Sequence, residues 1–258
     1  MIIELVGPPA SGKSTVSEEV IKEVNAEFFP SALLSRNDVE QQVNKFFRSH
    51  IGDDSSFDHI IRRFREALSK TALELFFQDE EVLTEGLRAA LISLAGRNRN
   101  LFRQRVERLT YSCSIESAST NRHRPVLLEE GIVQFILSTR ACQLGYFPDL
   151  AGDLGFWKGM ESLVERRRMV VLVDDPVLAE RRYGERKKGR PVVAEFANTT
   201  VWFQCYRTAL NEFLECFQKT KEIWIVNSTD LEEKKRSVLQ LARSCVKEYM
   251  THNIVPFK

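Results

Sequence analysis

The sequence predicts a doubly wound α/β fold, a parallel sheet with helices on both faces. Three observations predict it. Short, predominantly apolar runs recur at Ile2–Val6, Val126–Leu128, Met169–Val173 and Ile223–Val226. Near-continuous apolar runs belong to strands buried on both sides, as in parallel sheets. Longer stretches with 3.6-type apolar spacing separate them, which is the βαβ pattern. Finally, each run ends in polar residues, Gly7, Glu129–Glu130, Asp174–Asp175 and Asn227–Ser228. Ligands of open parallel sheets sit at those carboxyl ends.

The elements follow in order. After the first run the chain turns helical from Gly12, with Val16, Val20, Ile21 and Val24 on one side. Phe28–Leu34 is apolar but carries Pro30, which cannot donate to a ladder, so it is expected as an edge strand or loop. Ser35-Arg36-Asn37-Asp38 offers helix-start chemistry before Val39 and Val43. Gly52–Ser56 reads as a loop. Phe57–Asp79 reads as a helix with Ile60, Ile61, Phe64, Leu68, Ala72 and Leu75 aligned, and Glu81–Leu109 as a further helix interrupted near Gly96-Arg97-Asn98. Residues 50–125 are therefore expected to form a mostly helical insertion. Helices are expected at Ile132–Leu144, Pro176–Lys188, Glu195–Gln218 and Asp230–Tyr249, with a loop at Gly145–Gly155. Residues 1–258 are read as one domain.

Bulk properties narrow the function. The 258 residues are 43% hydrophobic and 28% charged, with a net charge of +1. A balance this even gives no global attraction to nucleic acid or an anionic membrane, so neither partner is expected. The five cysteines are odd in number and form no CxxC pair, which argues against a disulfide framework or a zinc site. His50, His59, His123 and His252 have no metal-like spacing. No basic leader precedes the first strand, and no run approaches the ~20 apolar residues of a membrane helix. A soluble, cytoplasmic protein with reduced thiols is expected.

The sharpest feature is "GPPASGKS", Gly7–Ser14, which matches G-x-x-x-x-G-K-[ST] at every fixed position and stands between a strand and a helix. A phosphate chain needs many donors in a small volume. Curled backbone amides supply them, and the following helix adds its positive end. Pro8 and Pro9 cannot donate, so the donors are expected from Ala10, Ser11, Gly12, Lys13, Ser14 and Thr15. Gly7 permits the sharp exit and Gly12 the close approach. Lys13 would reach the β- and γ-phosphates, and Ser14 would present its hydroxyl to Mg²⁺.

A neighbouring strand end must supply a carboxylate. Strand alternation sends Glu129 and Glu130 to opposite faces, so one of them is expected to serve the metal, Glu129 favoured over Glu130, and Glu130 would accept the acceptor's proton if the acceptor is an alcohol. Beyond the third confident strand, Arg182 and Arg186 lie four apart on one helical face, and Arg190 follows a glycine. Arginines of this kind stabilise a phosphoryl group in transit, and a mobile segment carrying them can exclude water. Arg97, Arg99, Arg103, Arg105 and Arg108, opposed only by Glu107, are read as a solvated helix face in preference to an anion site.

Taken together, "GPPASGKST", "VLLEEG", "VDDPVLAERRYGERKKGRP" and "IWIVNST" resemble the P-loop kinases of the nucleoside- and nucleotide-kinase-like superfamily, in the same order along the whole chain. The resemblance implies a five-stranded sheet in the order 2-3-1-4-5, ATP as donor, Mg²⁺, and a small-molecule acceptor. It implies a lid over residues 176–191 carrying Arg182, Arg186 and Arg190, places Asn227 near the adenine, and turns Arg36 and Asp38 toward the acceptor. The chain departs from the acceptor motifs D-R-[YFH] and E-R-S, having "SRND" and "LEEGIVQ". The reading is therefore an ATP-dependent kinase acting on a nucleoside or nucleotide. The alternatives are a kinase of a sugar or nucleotide sugar, and a non-catalytic ATP-gated regulatory protein. No N-K-x-D follows the loop, which disfavours a GTP switch. The oligomeric state is left open, a homodimer included.

Overall fold

The computed structural model describes residues 1–41, 84–120, 124–187, 199–220 and 222–253. Its centre is a five-stranded parallel sheet. The strands are β1 (Ile2–Val6), β2 (Leu34–Ser35), β3 (Val126–Leu128), β4 (Arg167–Val173) and β5 (Ile223–Asn227). Their order is β2-β3-β1-β4-β5, as expected. β1 lies in the middle, with Ile2 opposite both Val126 and Arg167, so the loop leaving it emerges at the centre of the carboxyl edge.

Side-chain alternation divides the core into two layers. Ile3 and Leu5, with Val170 and Leu172, pack on α1 (Lys13–Glu27) through Val16, Val20 and Val24. The final helix covers the same face through Val238, Ala242 and Cys245. Val6, Met169 and Val171 face the opposite side. There they meet α2 (Glu85–Arg97), α3 (Arg99–Thr120), α4 (Ile132–Tyr146) and, beyond the short α5 (Glu161–Glu165) and α6 (Pro176–Lys187), α7 (Thr199–Phe217). The final helix is α8 (Leu231–Asn253).

Local chemistry sets the boundaries. Thr84 caps α2 by accepting from the Leu87 amide. Asn98 breaks α2 from α3 because its Oδ1 caps the Leu101 amide at 3.1 Å. The expected interruption is thus a cap, and α3 runs eleven residues past the expected end at Leu109, to Thr120. Asp175 accepts from Leu178 at 2.9 Å and starts α6, with Pro176 in the first helical position. β2 is two residues long at the sheet's edge, which agrees with Pro30 just before it. Residues 36–41 begin a helix; the expected helix at Phe57–Asp79 and the expected loop at Gly52–Ser56 lie outside the described residues.

β4 starts two residues before the apolar run. Arg167 enters the sheet because its guanidinium is neutralised inside, 3.6 Å from Glu4 and in contact with Glu116. A second buried pair ties α4 to α7. Arg140 Nε donates to Glu212 at 2.9 Å, and Glu212 also accepts from Trp157 Nε1 and the Gly152 amide. Removing one partner of such a pair leaves an uncompensated charge in low dielectric. Glu212→Ala should therefore lower unfolding free energy in urea by ~3–5 kcal/mol. A loss below ~1 kcal/mol would show that water reaches Arg140.

Candidate functional site

The loop after β1 is built to leave its amides open. Ala10 and Gly12 have φ of 62° and 90°. Left-handed residues interspersed with right-handed ones curl successive N–H groups toward one point. Gly12 takes this conformation without the strain a side chain would add. Ala10 takes it at a cost of ~1–2 kcal/mol, which the surrounding structure must offset. No side chain caps α1. Among the described residues the amides of Ala10, Gly12, Lys13, Ser14 and Thr15 meet no acceptor, whereas Ser11 donates to the Pro8 carbonyl at 3.3 Å. Of the six expected donors, five are open.

Lys13 is buried in the loop's throat, where its ammonium donates to the carbonyls of Gly7 (2.6 Å) and Pro8 (2.9 Å). Burial pushes its pKa down to about 8; Glu130 and then Glu129 oppose the shift, and Lys234 adds to it. A cation that is uncomfortable in the free protein is what an incoming anion would relieve.

The loop is braced from behind. The Gly7 amide donates to Gln134 Oε1 at 3.0 Å, and Tyr206 donates to the same oxygen at 3.0 Å. Gln134 is placed by Glu4, whose carboxylate accepts the Gln134 amide at 2.8 Å and so caps α4 from within the sheet. Gly131 has to be a glycine, because a Cβ there would lie 2.4 Å from the Glu4 carboxyl carbon. Burial pushes Glu4 up to about 7, against the pull of Arg167.

Other expected residues fall as follows. Glu129 and Glu130 follow β3, half-buried and exposed respectively, both close enough to act on Lys13. Glu130 pairs with Arg36 at 3.0 Å. Asp38 forms a capping box, accepting from the Ser35 amide (2.8 Å) and hydroxyl (2.7 Å) while its own amide donates to Ser35 Oγ. Arg182 Nη1 donates to the fully buried Asp174 at 3.1 Å. Arg186 is on α6 with only its backbone described, and Arg190 lies outside the described residues.

Two cavities flank the loop. One of about 620 Å³ is bounded by Pro8, Asp174, Asn227 and Thr229, with Phe203 and Tyr206 behind. The other, about 240 Å³, is bounded by Pro9, Arg36, Glu130, Gln134 and Arg105. Arg105 turns inward and is buried, whereas Arg97 at the end of α2 and Arg99, Arg103 and Arg108 on α3 are exposed, so the arginine cluster is only partly a solvated face.

Oxygen donors suited to a hard cation are present in Ser14 and Glu129. No cluster of three or more His, Cys, Asp or Glu occurs among the described residues. Mg²⁺ needs none, since it keeps waters and draws ligands from one or two carboxylates and substrate phosphates. A serine hydroxyl and a carboxylate are ligand types that Mg²⁺ accepts.

No family model and no curated protein matches the chain. Two solved structures of deoxyadenosine kinase from M. mycoides are similar to it, one with dCMP and dCDP bound, the other with dCTP. They are 14% and 13% identical, each match covering 95% of this chain and 100% of the other, with TM-scores of 0.46. The site's own geometry therefore carries the functional reading. No helix among the described residues is long and apolar enough to cross a membrane.

Lys13 gives the site a pH signature. Burial lowers the Lys13 pKa to about 8, so a phosphate chain bound beside it would favour the charged form and draw in a proton above that pH. ATP binding at pH 8.5 should take up protons, read by calorimetry as an enthalpy that varies with buffer ionisation heat; the variation should vanish in Lys13→Met. Buffer-independent heats in the wild type would contradict the placement of Lys13.

Proposed function

We propose that the chain is an ATP-dependent kinase that transfers the γ-phosphoryl group to a small-molecule acceptor, a nucleoside or nucleotide. The observation that carries this reading is the set of open amides around Lys13 at the central strand's tip. The cavities beside the loop support a division of labour. The larger, with Phe203, Tyr206 and Asn227 on its walls, would take the nucleoside of ATP. The smaller, with Arg36 and Glu130, would take the acceptor. Pro8 borders one and Pro9 the other, so the phosphates would lie between donor and acceptor.

Each residue then has a defined task. The amides of Gly12 to Thr15 hold the β-phosphate region, and Lys13 follows the γ-phosphate as a point charge. Glu130 receives the acceptor hydroxyl's proton at its carboxylate, and Arg36 holds that carboxylate in place. Arg182, with Arg186 and Arg190 on the same segment, answers the charge that gathers on the transferred group. Ser14 and Glu129 would hold Mg²⁺, which supplies neutralisation of the phosphate oxygens. The protein positions and neutralises; the bonds exchanged are those between the γ-phosphorus and its leaving and entering oxygens.

An ADP-coupled screen over nucleosides, nucleotides, sugars and nucleotide sugars tests this. ADP release should rise with a nucleoside or nucleotide, and Lys13→Ala should cut that turnover about 100-fold or more while the fold persists. If no acceptor raises ADP release above the basal rate, a non-catalytic ATP-gated protein becomes the better reading.

A further inference from the structure

We propose that Lys234, on the first turn of α8, is a positioning residue that keeps the Ser11–Gly12 peptide turned so that its amide faces the phosphates. The inference rests on the proposed function. Lys234 is 223 residues from the loop in sequence, yet its ammonium donates to the Ser11 carbonyl at 3.0 Å. It also donates to Asp174 at 3.0 Å. The side chains of Lys234 and Asp174 are 1% and 0% exposed, so neither charge is shared with water.

A peptide unit is planar and trans, so its carbonyl and the next amide point in opposite directions. A tether on Ser11 O therefore fixes the direction of Gly12 N–H, which is one of the open amides. The tether matters at this peptide more than at its neighbours. Gly12 is the residue whose φ of 90° shapes the curl, and a glycine tolerates the flipped peptide almost as well. The flexibility that allows the curl also allows its loss, and Lys234 opposes that loss.

Asp174 makes the tether tolerable. It is the counter-ion that lets an ammonium be buried against a carbonyl. It also accepts Arg182 Nη1 at 3.1 Å, so the carboxylate is shared by a buried cation and one from α6. With Lys234 removed, Asp174 would have Arg182 as its single cation among the described contacts. Lys234 therefore acts on the site through the Ser11–Gly12 peptide, and it shares Asp174 with Arg182.

The test is ATP·Mg²⁺ affinity by calorimetry, with ADP production and unfolding temperature alongside, for wild type, Lys234→Met and the double variant Lys234→Met/Asp174→Asn. The single variant should bind ATP about tenfold or more weakly, the loss expected for a hydrogen bond involving a charged group. The double variant removes both buried charges, so its unfolding temperature should return toward wild type while ATP affinity stays low. Wild-type affinity in either folded variant overturns the inference, since Lys234 would then only compensate a charge. A wild type that takes up no ATP·Mg²⁺ overturns the proposed function and this inference with it.

Discussion

The constraint on which the rest of the structure depends is a curl of main-chain amides that must stay open in the absence of a ligand. Open amides beside a buried ammonium are costly, and the protein holds them so from several directions. Lys13 grips the carbonyls of Gly7 and Pro8. Gln134 takes the Gly7 amide from α4, and Lys234 takes the Ser11 carbonyl from α8. Leaving α1 uncapped completes the arrangement. Each contact uses a carbonyl, or an amide outside the curl, so the stabilisation does not consume the donors.

Buried charge serves as scaffolding around that loop. Glu4, Arg167 and Glu116 form a chain through the sheet, and its end at Glu4 fixes the start of α4. Arg140 and Glu212 fix α4 against α7, the helix that carries Tyr206 to Gln134. Buried ion pairs are poor sources of net stability compared with apolar packing, but they tolerate few alternative geometries. Here they sit on the route from the core to the loop, where geometry matters more than stability.

Much of this was legible in the sequence, for reasons that can be named. Near-continuous apolar strands read clearly because a parallel sheet buries both of its faces, and the loop's fixed residues each answer a backbone or charge requirement that few other residues meet. The bracing residues were harder. Glu4 stands in "IIELV", a charge inside a buried run, which is a visible signal that something opposes it. Its partner Arg167 precedes the apolar part of β4, and so the strand's true start was hidden by the same interaction. Lys234 falls on the stripe of Val238, Ala242 and Cys245, a lysine on a buried face of an amphipathic helix. Gln134 carried no signal, since its role depends on how α4 meets the loop. Asp38 shows the converse. Its position after Ser35 fits a capping box as well as an acceptor contact, and the structure uses it as a cap.

Under the proposed function, the two cavities beside the loop call for a stiff divider as well as a phosphate cradle. Pro8 and Pro9 donate nothing and bend little, and they stand between the space beside Asn227 and the space beside Arg36. The most direct measurement of the central claim is a crystal structure grown with a non-hydrolysable ATP analogue and magnesium. The account predicts the β-phosphate oxygens within hydrogen-bond distance of the Gly12, Lys13 and Ser14 amides, with the base in the larger cavity. A triphosphate bound elsewhere, with those amides still open, would contradict it.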